Sequence, residues 1–269
     1  MADKTIIVVQ ARMTSSRLPG KVMMPVLGKS LLYRMVERLQ MVNHAVQVVI
    51  AAPTGSADDI IEAEAKKMGV FCFRGDLNNV LDRHYQAAKM LGATTVLKIP
   101  SDCPLIDPCI IDPVLDFYFK EPGKYDYVSN LHPATFPDGN DVEIMTMDCL
   151  EKTWKEAERP LELEHTTPYI WENPEKFRIG NVVWQSGKDY SMSHRFTIDY
   201  EADYLFIKRV FEELYPKKVN FSCDDILKLL EDKPEIYQIN EKYAGVNWYR
   251  NHLDELKTIS SEQTKVTFG

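Results

Sequence analysis

Short apolar runs alternate with amphipathic stretches through the first half of the chain. Strands are predicted at 5–10, 46–52, 70–73 and 94–99, and helices at 30–42, 56–68 and about 78–91. Val/Ile-rich runs between helices are typical of a parallel sheet covered by helices on both faces. Ser56 is expected to cap the second helix, with Asp58 and Asp59 favouring its start. Sheets of this kind bind ligands at the carboxyl ends of their strands.

The second half of the chain has a less regular pattern. Strands are predicted at 125–130, 141–146, 177–184 and 194–199, and helices at about 147–158, 162–172 and 201–214. The last stretch, 258–269, has no helical stripe, and we expect it to be a flexible tail. The class is therefore α/β, with an irregular α+β region after the first half.

Composition and charge limit the partners. The 269 residues carry a net charge of −8, which argues against a broad nucleic-acid or anionic-membrane surface. No apolar run approaches the ~18–20 residues that span a bilayer, and no signal peptide is recognisable. The five cysteines form no CxxC pair and no zinc spacing. We therefore expect reduced thiols in a cytoplasmic protein, with no nucleic-acid partner and no membrane partner.

The stretch "VVQARMTSSRLPGKVMMPVLGKS" (8–30) differs from this acidic background. Residues 1–38 contain seven basic and only two acidic side chains. Arg12, Arg17 and Lys21 follow the first predicted strand, and Ser15 and Ser16 lie between them. This mixture of cations and hydroxyl donors suits a polyphosphate. A solvated basic loop has the same composition.

The letters "LGKS" (27–30) resemble part of a phosphate-binding P-loop. That motif needs a glycine five positions before Gly28, and Met23 stands there. The sequence therefore predicts a surface turn that leads into the helix.

Two aspartates follow predicted strands. Asp102 lies in "KIPSDCPLIDP" (98–108) and Asp199 in "RFTIDYEAD" (195–203). Carboxylates at two strand ends can share one Mg²⁺ ion, whose remaining ligands are water and substrate oxygens. Helix capping or a turn accounts equally well for Asp102. Asp107, Glu201 and Asp203 are predicted to be helix-start carboxylates.

A second polar group lies in "FPDGNDVEIM" (136–145) and "LEHTTPYI" (163–170). Asp138, Asp141 and Glu143 suit sugar hydroxyls or a metal ion, and they are equally typical of a turn. His165 could contact a substrate carboxylate or transfer protons, and a structural histidine explains it as well.

Together these motifs resemble a known family. The opening "VVQARMTSSRLPGKVMMPVLGKSLLYRMVERL", followed in order by "FRGDLNNVLDRHYQAA", "VLKIPSDCPLIDP", "PDGNDVEIMT", "EHTTPYIWENPEKF" and "RFTIDYEADY", is similar to the cytidylyltransferases that activate acidic sugars. These include the CMP-Kdo and CMP-sialate synthetases. The chain looks closest to the spore-coat-polysaccharide branch. The resemblance covers roughly residues 5–215.

The resemblance implies a fold and a reaction. The fold would be a Rossmann-like nucleotidyltransferase of the GT-A type, with a small α+β dimerisation and acceptor lobe. The reaction would transfer CMP from CTP to a small acidic acceptor, release pyrophosphate, use Mg²⁺ and serve cell-surface glycan biosynthesis. A homodimer is also implied.

The resemblance assigns roles to individual residues. Arg12, Lys21, Asp102 and Asp199 would be catalytic, and the two aspartates would hold the metal. The nucleotide would contact Ala11, Arg12, Ser15, Ser16, Arg17, Lys21, Arg74, Asp82 and Ser101. The acceptor would contact Asp141, Glu143 and His165. Ser101 stands where many relatives have glycine.

The implied organisation is a single domain over 1–257. It comprises a nucleotide-binding half (about 1–125), an acceptor and dimerisation region (about 126–200) and a C-terminal helical part (about 200–257). Two other functions fit the residues: a GT-A-type glycosyltransferase that uses a nucleotide sugar, and a non-catalytic protein that binds nucleotide sugars. The sequence does not identify the acceptor.

Overall fold

A seven-stranded sheet organises the molecule. The computed structural model describes residues 4–265. The strands are β1 (Thr5–Gln10), β2 (Pro25–Val26), β3 (Lys29–Ser30), β4 (Val46–Pro53), β5 (Phe71–Gly75), β6 (Thr95–Lys98), β7 (Tyr127–Ser129), β8 (Glu143–Thr146) and β9 (Ile179–Asn181). The main sheet has the order β5-β4-β1-β6-β8-β7-β9, and β2 and β3 form a separate antiparallel hairpin.

The first half of the sheet is parallel, as the sequence predicts. β1 lies between β4 and β6, with Ile7 opposite Val48 and Leu97. Four successive residues of β1, 6–9, point to alternate faces and are fully buried, so the middle of the strand is apolar on both faces. β8 then runs antiparallel between β6 and β7, and β9 pairs in parallel with β7. The predicted mostly parallel sheet is confirmed, with one reversed strand beyond β6.

Helices cover both faces of the sheet. They are α1 (Leu31–Leu39), α2 (Asp59–Lys67), α3 (Val80–Leu91), α4 (Pro108–Phe119), α5 (Met147–Glu156), α6 (Pro160–His165), α7 (Pro168–Trp171), α8 (Glu201–Leu214), α9 (Cys223–Asp232) and α10 (Pro234–Tyr237). One core joins Ile7 of β1 to α1, α4, α8 and α9, and the other joins Ile6 to α3, α5, α6 and α7. Within residues 4–265, none of the helices combines the length and apolar character that a membrane crossing requires.

The predicted strand at 194–199 is wrong. This segment is extended, but its backbone bonds join two loops instead of a neighbouring strand. Phe196 donates to the Asp138 carbonyl over 2.7 Å, and Ile198 donates to the Asp102 carbonyl over 2.8 Å. An isolated β-bridge joins Arg195 of this segment to Asp138. The segment therefore ties together two loops that carry candidate site residues.

The predicted helix at 162–172 is divided into α6 and α7. Thr166 has a φ angle of 73°, which interrupts the helix before Pro168. The predicted cap at Ser56 is also wrong, because residues 56–58 form a 3₁₀ turn and α2 begins at Asp59. Asp58 instead accepts a hydrogen bond from the Met13 amide over 2.7 Å.

Two local predictions are confirmed. Asp107 caps α4 by accepting from the Cys109 amide over 2.9 Å. The "LGKS" letters form the β2–β3 turn, where Leu27 and Gly28 have φ angles of 47° and 76°. Ser30 then caps α1 by accepting from the Tyr33 amide over 3.0 Å. The motif therefore starts a helix.

The C-terminal stretch packs against the molecule, in contrast to the flexible tail that we expected. Thr264 is only 3% exposed, and the Lys265 amide donates to the Gly245 carbonyl over 2.6 Å. Ile259 is buried in the second core. These contacts hold residues 258–265 in place, while 266–269 lie outside the described residues.

Candidate active site

A cavity of about 350 Å³ opens at the carboxyl ends of β1 and β6. This is where an α/β sheet is expected to bind its ligand. The structure brings together all but two of the predicted site residues, and the cavity is lined by Ala11, Arg12, Ser15, Ser16, Arg17, Lys21, Ser101, Asp102, Asp141, Glu143, His165 and Asp199.

The loop after β1 is folded back on itself. The Gly20 amide donates to the Met13 carbonyl over 2.8 Å, and Gly20 has a φ angle of 72°. This left-handed conformation favours glycine at the position immediately before Lys21. Asp58 holds the other end of the loop through the Met13 amide. The basic side chains are therefore presented from a fixed turn.

Lys21 joins the two predicted metal-binding aspartates. Its ammonium donates to Asp199 Oδ1 over 3.0 Å and to the Ile198 carbonyl over 2.6 Å. The same nitrogen lies 3.6 Å from Asp102 Oδ2. Both carboxylates therefore face one point of the cavity, although they come from loops far apart in the sequence.

Asp199 is the more strongly paired of these two carboxylates. Arg17 approaches Oδ1 at 2.7 Å, and Arg195 donates to Oδ2 over 2.9 Å. Burial alone would raise the pKa of Asp199, but Lys21, Arg17 and Arg195 hold that pKa well below its usual value. Asp199 therefore stays ionised, while the Asp102 side chain remains 35% exposed towards the cavity.

Arg195 is the buried centre of this charge network. Its guanidinium is bonded to Asp138 over 3.1 Å and to Asp203 over 3.0 Å. Asp203 also accepts from the backbone amides of Asp199 and Tyr200, which confirms it as a helix-start carboxylate. Burial by itself would lower the pKa of Arg195. The neighbouring aspartates outweigh this effect and raise the pKa above its usual value, so the side chain stays charged.

Asp141 and Glu143 line the same cavity from β8 and the loop before it. Glu143 is 2% exposed, is paired with Lys98 and accepts from the Tyr127 hydroxyl over 2.6 Å. Burial raises the pKa of Glu143, but Lys98 more than reverses this effect and keeps the carboxylate ionised. Burial, followed by the charges of Asp102 and Glu143, raises the pKa of Asp141 to about 7. Burial also raises the pKa of the neighbouring Asp138, so two carboxyls of the cavity, Asp138 and Asp141, hold a proton more readily than a solvated aspartate does.

His165 lies at the end of α6 and stacks on Trp248, with 3.8 Å between the ring centroids and 12° between the planes. Burial, reinforced by Lys98, lowers the pKa of His165 to about 3. The imidazole is therefore neutral at physiological pH. Arg12 is more exposed and pairs with Glu164 over 2.9 Å at the rim of the cavity.

Arg74 and Asp82 are the two predicted nucleotide-site residues that do not line the cavity. Arg74 lies in β5 at the sheet edge and bonds to the Gly55 carbonyl over 2.9 Å and to Asp59 over 3.0 Å. Asp82 faces α5, where it accepts from Trp154 Nε1 over 2.9 Å. One residue further on, Arg83 does reach the cavity. The motif that contains Arg74 and Asp82 therefore reaches the cavity through Arg83, while those two side chains lie outside it.

Sequence reasoning missed several lining residues. Lys98 and Arg195 lie within predicted strands of recognised motifs, so their position was a usable signal. The segment 247–252 had no such signal, because it lies outside every recognised motif. The lining residues that the sequence did not predict include Gln10, Arg83, Lys98, His132, Glu164, Thr167, Trp171, Arg195, Asn247, Trp248, Tyr249, Asn251 and His252.

Comparison with known proteins shows to which family this chain belongs. The cytidylyltransferase family model matches residues 6–243. The chain belongs to the cytidylyltransferase family. The matched region includes the basic loop, Asp102, Asp199, Asp141 and Glu143. A cytidylyltransferase is therefore supported over the glycosyltransferase and the non-catalytic binding protein.

Several relatives align with this chain over most of its length and most of their own. An uncharacterised protein of Methanocaldococcus jannaschii is 32% identical, over 88% of this chain and 94% of its own. The spore coat polysaccharide biosynthesis protein SpsF of Bacillus subtilis is 28% identical, over 86% and 95% respectively. The solved structure of a cytidylyltransferase from Leptospira borgpetersenii is 35% identical and covers 88% of this chain and 97% of its own, with a TM-score of 0.83. This likeness confirms the Rossmann-like nucleotidyltransferase fold.

A shorter match extends to enzymes named for their acceptor. The 8-amino-3,8-dideoxy-manno-octulosonate cytidylyltransferase of a Shewanella species is 29% identical, over 45% of this chain and 50% of its own. The family thus includes enzymes named for an acidic sugar, but this match covers only half of the cytidylyltransferase in question.

Proposed function

We propose that this cytidylyltransferase transfers CMP from CTP to an acidic sugar or a related acid and releases pyrophosphate, in polysaccharide biosynthesis. The observation that carries the proposal is the position of Lys21, whose ammonium contacts Asp199 and approaches Asp102 inside the cavity. Cations and exposed carboxylate oxygens in one cavity suit a metal-bound triphosphate. The family match supports CTP as the nucleotide.

The nucleotide would lie along the loop after β1. Arg12, Arg17 and Lys21 would neutralise its phosphates, while Ser15 and Ser16 would donate hydrogen bonds. The fold holds Lys21 by its carbonyl and carboxylate partners, so its charge is already oriented. A charge that is oriented before the substrate binds costs little reorganisation during the reaction.

The donor set fits Mg²⁺. Asp102 and Asp199 supply the hard oxygen ligands that Mg²⁺ prefers, and the partly exposed Asp102 is less engaged by cations than Asp199. Among residues 4–265, no group of three or more His, Cys, Asp or Glu side chains is arranged to hold a metal ion. Two aspartates would therefore hold the ion together with phosphate and water oxygens. When bound, Mg²⁺ would neutralise charge on the phosphates.

The chain's own residues would chiefly align the reactants. An oxygen of the acceptor attacks the α-phosphorus of CTP, forming one P–O bond while the bond to pyrophosphate breaks. Lys21 and Arg17 would stabilise the negative charge that develops on the phosphates. Asp141, Glu143 and His165 would hold the acceptor in the same cavity. Relatives named for acidic sugars support a sugar acid as that acceptor. Such catalysis relies on positioning and electrostatics.

Two further features belong to the proposal. We place the reaction in the cytoplasm, which agrees with the five free cysteines. We also propose a homodimer formed through the region of about 130–185. Sedimentation of the purified protein tests the dimer directly.

Pyrophosphate release tests the main proposal. The protein is incubated with Mg²⁺, each of the four NTPs, and a panel of sugar acids that includes 3-deoxy-manno-octulosonate and its 8-amino analogue. Release with CTP and at least one acid, abolished in Asp102→Asn, is expected. Absence of release with every pair would contradict the proposal, and turnover of a nucleotide sugar instead would favour the glycosyltransferase.

A further inference from the structure

An aromatic surface faces the cavity from the acceptor side. Trp248 stacks on His165, and its ring centroid lies 4.3 Å from that of Tyr249. Tyr249 in turn lies 6.3 Å from Trp171 and 6.3 Å from His132. All five side chains line the cavity. We call this set, His132, His165, Trp171, Trp248 and Tyr249, the aromatic wall.

The wall differs from the phosphate side in its charge. Burial lowers the pKa of His132 to about 4 and that of His165 to about 3, so both imidazoles are neutral at physiological pH. Tyr249 and the two tryptophans carry no charge either, since burial raises the pKa of the tyrosine hydroxyl well above its usual value. The nearest cations lie at the edge of this wall: Arg12 pairs with Glu164, the neighbour of His165, and the charges of Lys98, Arg12 and Arg17 help to lower the pKa of His165. An uncharged aromatic surface suits the apolar face of a ring better than a phosphate or a carboxylate.

The C-terminal part of this wall is held rigidly. Arg195 donates to the Val246 carbonyl over 2.6 Å, and Asn247 donates from Nδ2 to the Gln263 carbonyl over 2.9 Å. Gly245 has a φ angle of 75°, and a Cβ there would lie 2.9 Å from Met192 Cε. The chain therefore enters 247–252 along one fixed path. A binding surface that is ordered in advance loses little entropy when it captures a ligand.

The segment also lies beyond the residues that the family model matches. The family model ends at residue 243, whereas Trp248 and Tyr249 follow it. The phosphate-binding loop and the two metal-candidate aspartates lie within the matched region. The chemistry common to the family thus comes from the matched region, and the residues that follow it complete the cavity on the acceptor side.

We propose that the segment 247–252 selects the acceptor, with Trp248 and Tyr249 stacking on the uncharged face of its sugar ring. This inference rests on the proposed function, because it takes the ring to be that of the acceptor. The charged group of the acceptor would face the cations, and its ring would lie against the wall. Asn251, which also lines the cavity, is positioned to meet the ring hydroxyls.

The test separates the acceptor from the nucleotide. Initial rates of pyrophosphate release are measured for wild type and Trp248→Leu, varying CTP and the acceptor in turn. The acceptor is whichever sugar acid of the panel the wild type uses. We expect the KM for the acceptor to rise about tenfold, while the KM for CTP stays within about twofold. Trp248→Phe, which keeps a ring, should restore most of the acceptor affinity.

The control is Trp154→Leu. Trp154 is a half-buried tryptophan of α5 that stacks on Tyr85 and does not line the cavity. This variant should leave both KM values unchanged. Thermal unfolding of every variant checks that the fold is intact, and Tyr249→Leu serves as the second cavity variant if Trp248→Leu does not fold.

Three results would overturn the inference. An unchanged acceptor KM in folded Trp248→Leu and Tyr249→Leu, or an equal rise in both KM values, would show that the segment does not select the acceptor. Loss of activity in Trp248→Phe as large as in Trp248→Leu would show that ring stacking is not the mechanism. Failure of the wild type to release pyrophosphate with any acid would count against the proposed function itself. It differs from the preceding results, in which the wild type is active and only the variants depart from expectation.

Discussion

The Lys21 ammonium donates to Asp199 Oδ1 over 3.0 Å, across 178 positions of sequence. This pair joins the loop after β1 to the extended segment before α8, and it orients a cation beside two carboxylates. The contact is partly buried, with side-chain exposures of 11% and 15%, so water screens it only weakly. The following predictions depend on that arrangement.

Asp102→Asn and Asp199→Asn should both lower turnover, but they should differ in stability. Asp102 is one-third exposed and 3.6 Å from its nearest cation, so its replacement should change the free energy of unfolding by less than about 0.5 kcal/mol. Asp199 neutralises Lys21, Arg17 and Arg195, so its loss should cost roughly 1–3 kcal/mol.

Urea denaturation and pyrophosphate release measure the two effects of these aspartate variants. We expect kcat to fall on the order of 100-fold or more in each variant, since each is proposed to contribute to charge stabilisation of the phosphates. Full Mg²⁺-dependent activity in either variant would show that the aspartate in question is not a metal ligand. Equal stability of the two variants would refute the charge network around Asp199.

Lys21→Met should lower kcat/KM for CTP by about 100-fold, because it removes the cation that faces both aspartates. Lys29→Met is the matched control, since Lys29 is an exposed cation of the same basic stretch that does not line the cavity. Steady-state kinetics with varied CTP give the answer. A comparable loss in both variants would mean that general surface charge, rather than the position of Lys21, attracts the nucleotide.

Arg74→Met should leave the KM for CTP within about twofold of wild type, because Arg74 binds the Gly55 carbonyl and Asp59 away from the cavity. Its effect should be a loss of about 1–2 kcal/mol in the free energy of unfolding, from the broken hydrogen bonds. Arg12→Met, at the cavity rim, should instead raise the KM for CTP. A raised KM for CTP in Arg74→Met would restore Arg74 to the nucleotide site.

The stability of Asp141→Asn should increase relative to that of wild type as the pH rises. Burial, then Asp102 and Glu143, raises the pKa of Asp141 to about 7 in the folded state, whereas an unfolded aspartate titrates near about 3.9. Between these values the folded protein binds a proton that the unfolded chain has released, so wild-type stability falls as the pH rises from 4 to 7. Asp141→Asn has no carboxyl at this position, so its stability does not fall for this reason.

Urea denaturation at pH 4.5 and pH 8 measures the difference between wild type and Asp141→Asn. Since one pKa unit corresponds to about 1.4 kcal/mol, the variant should gain roughly 1–3 kcal/mol over wild type between the two pH values. Asp112→Asn is the control, because Asp112 lies on α4 and does not line the cavity. A stability difference between wild type and Asp141→Asn that does not change with pH would contradict the raised pKa of Asp141.

The sequence by itself determined the parallel half of the sheet and the position of the basic loop at the edge of the cavity. Strands such as β1 are buried on both faces, which requires an unbroken apolar run that is visible without a structure. The carboxyl ends of such strands meet at one edge, so Arg17, Lys21 and Asp102 could be placed there from sequence order alone. These inferences depend on local pattern and on a general rule of topology.

Only the tertiary structure decided the rest of the site. The segment 194–199 looks like a strand, but its backbone partners are the loops at Asp138 and Asp102, and pairing between distant segments is not encoded locally. Arg74 and Arg83 lie in the same recognised motif, yet of these two only Arg83 lines the cavity. Trp248 and Tyr249 reach the cavity because Arg195 and Gln263 fix the path of a chain that carries no recognisable motif. Side-chain direction and long-range packing, which depend on the whole fold, decide which of these residues line the cavity.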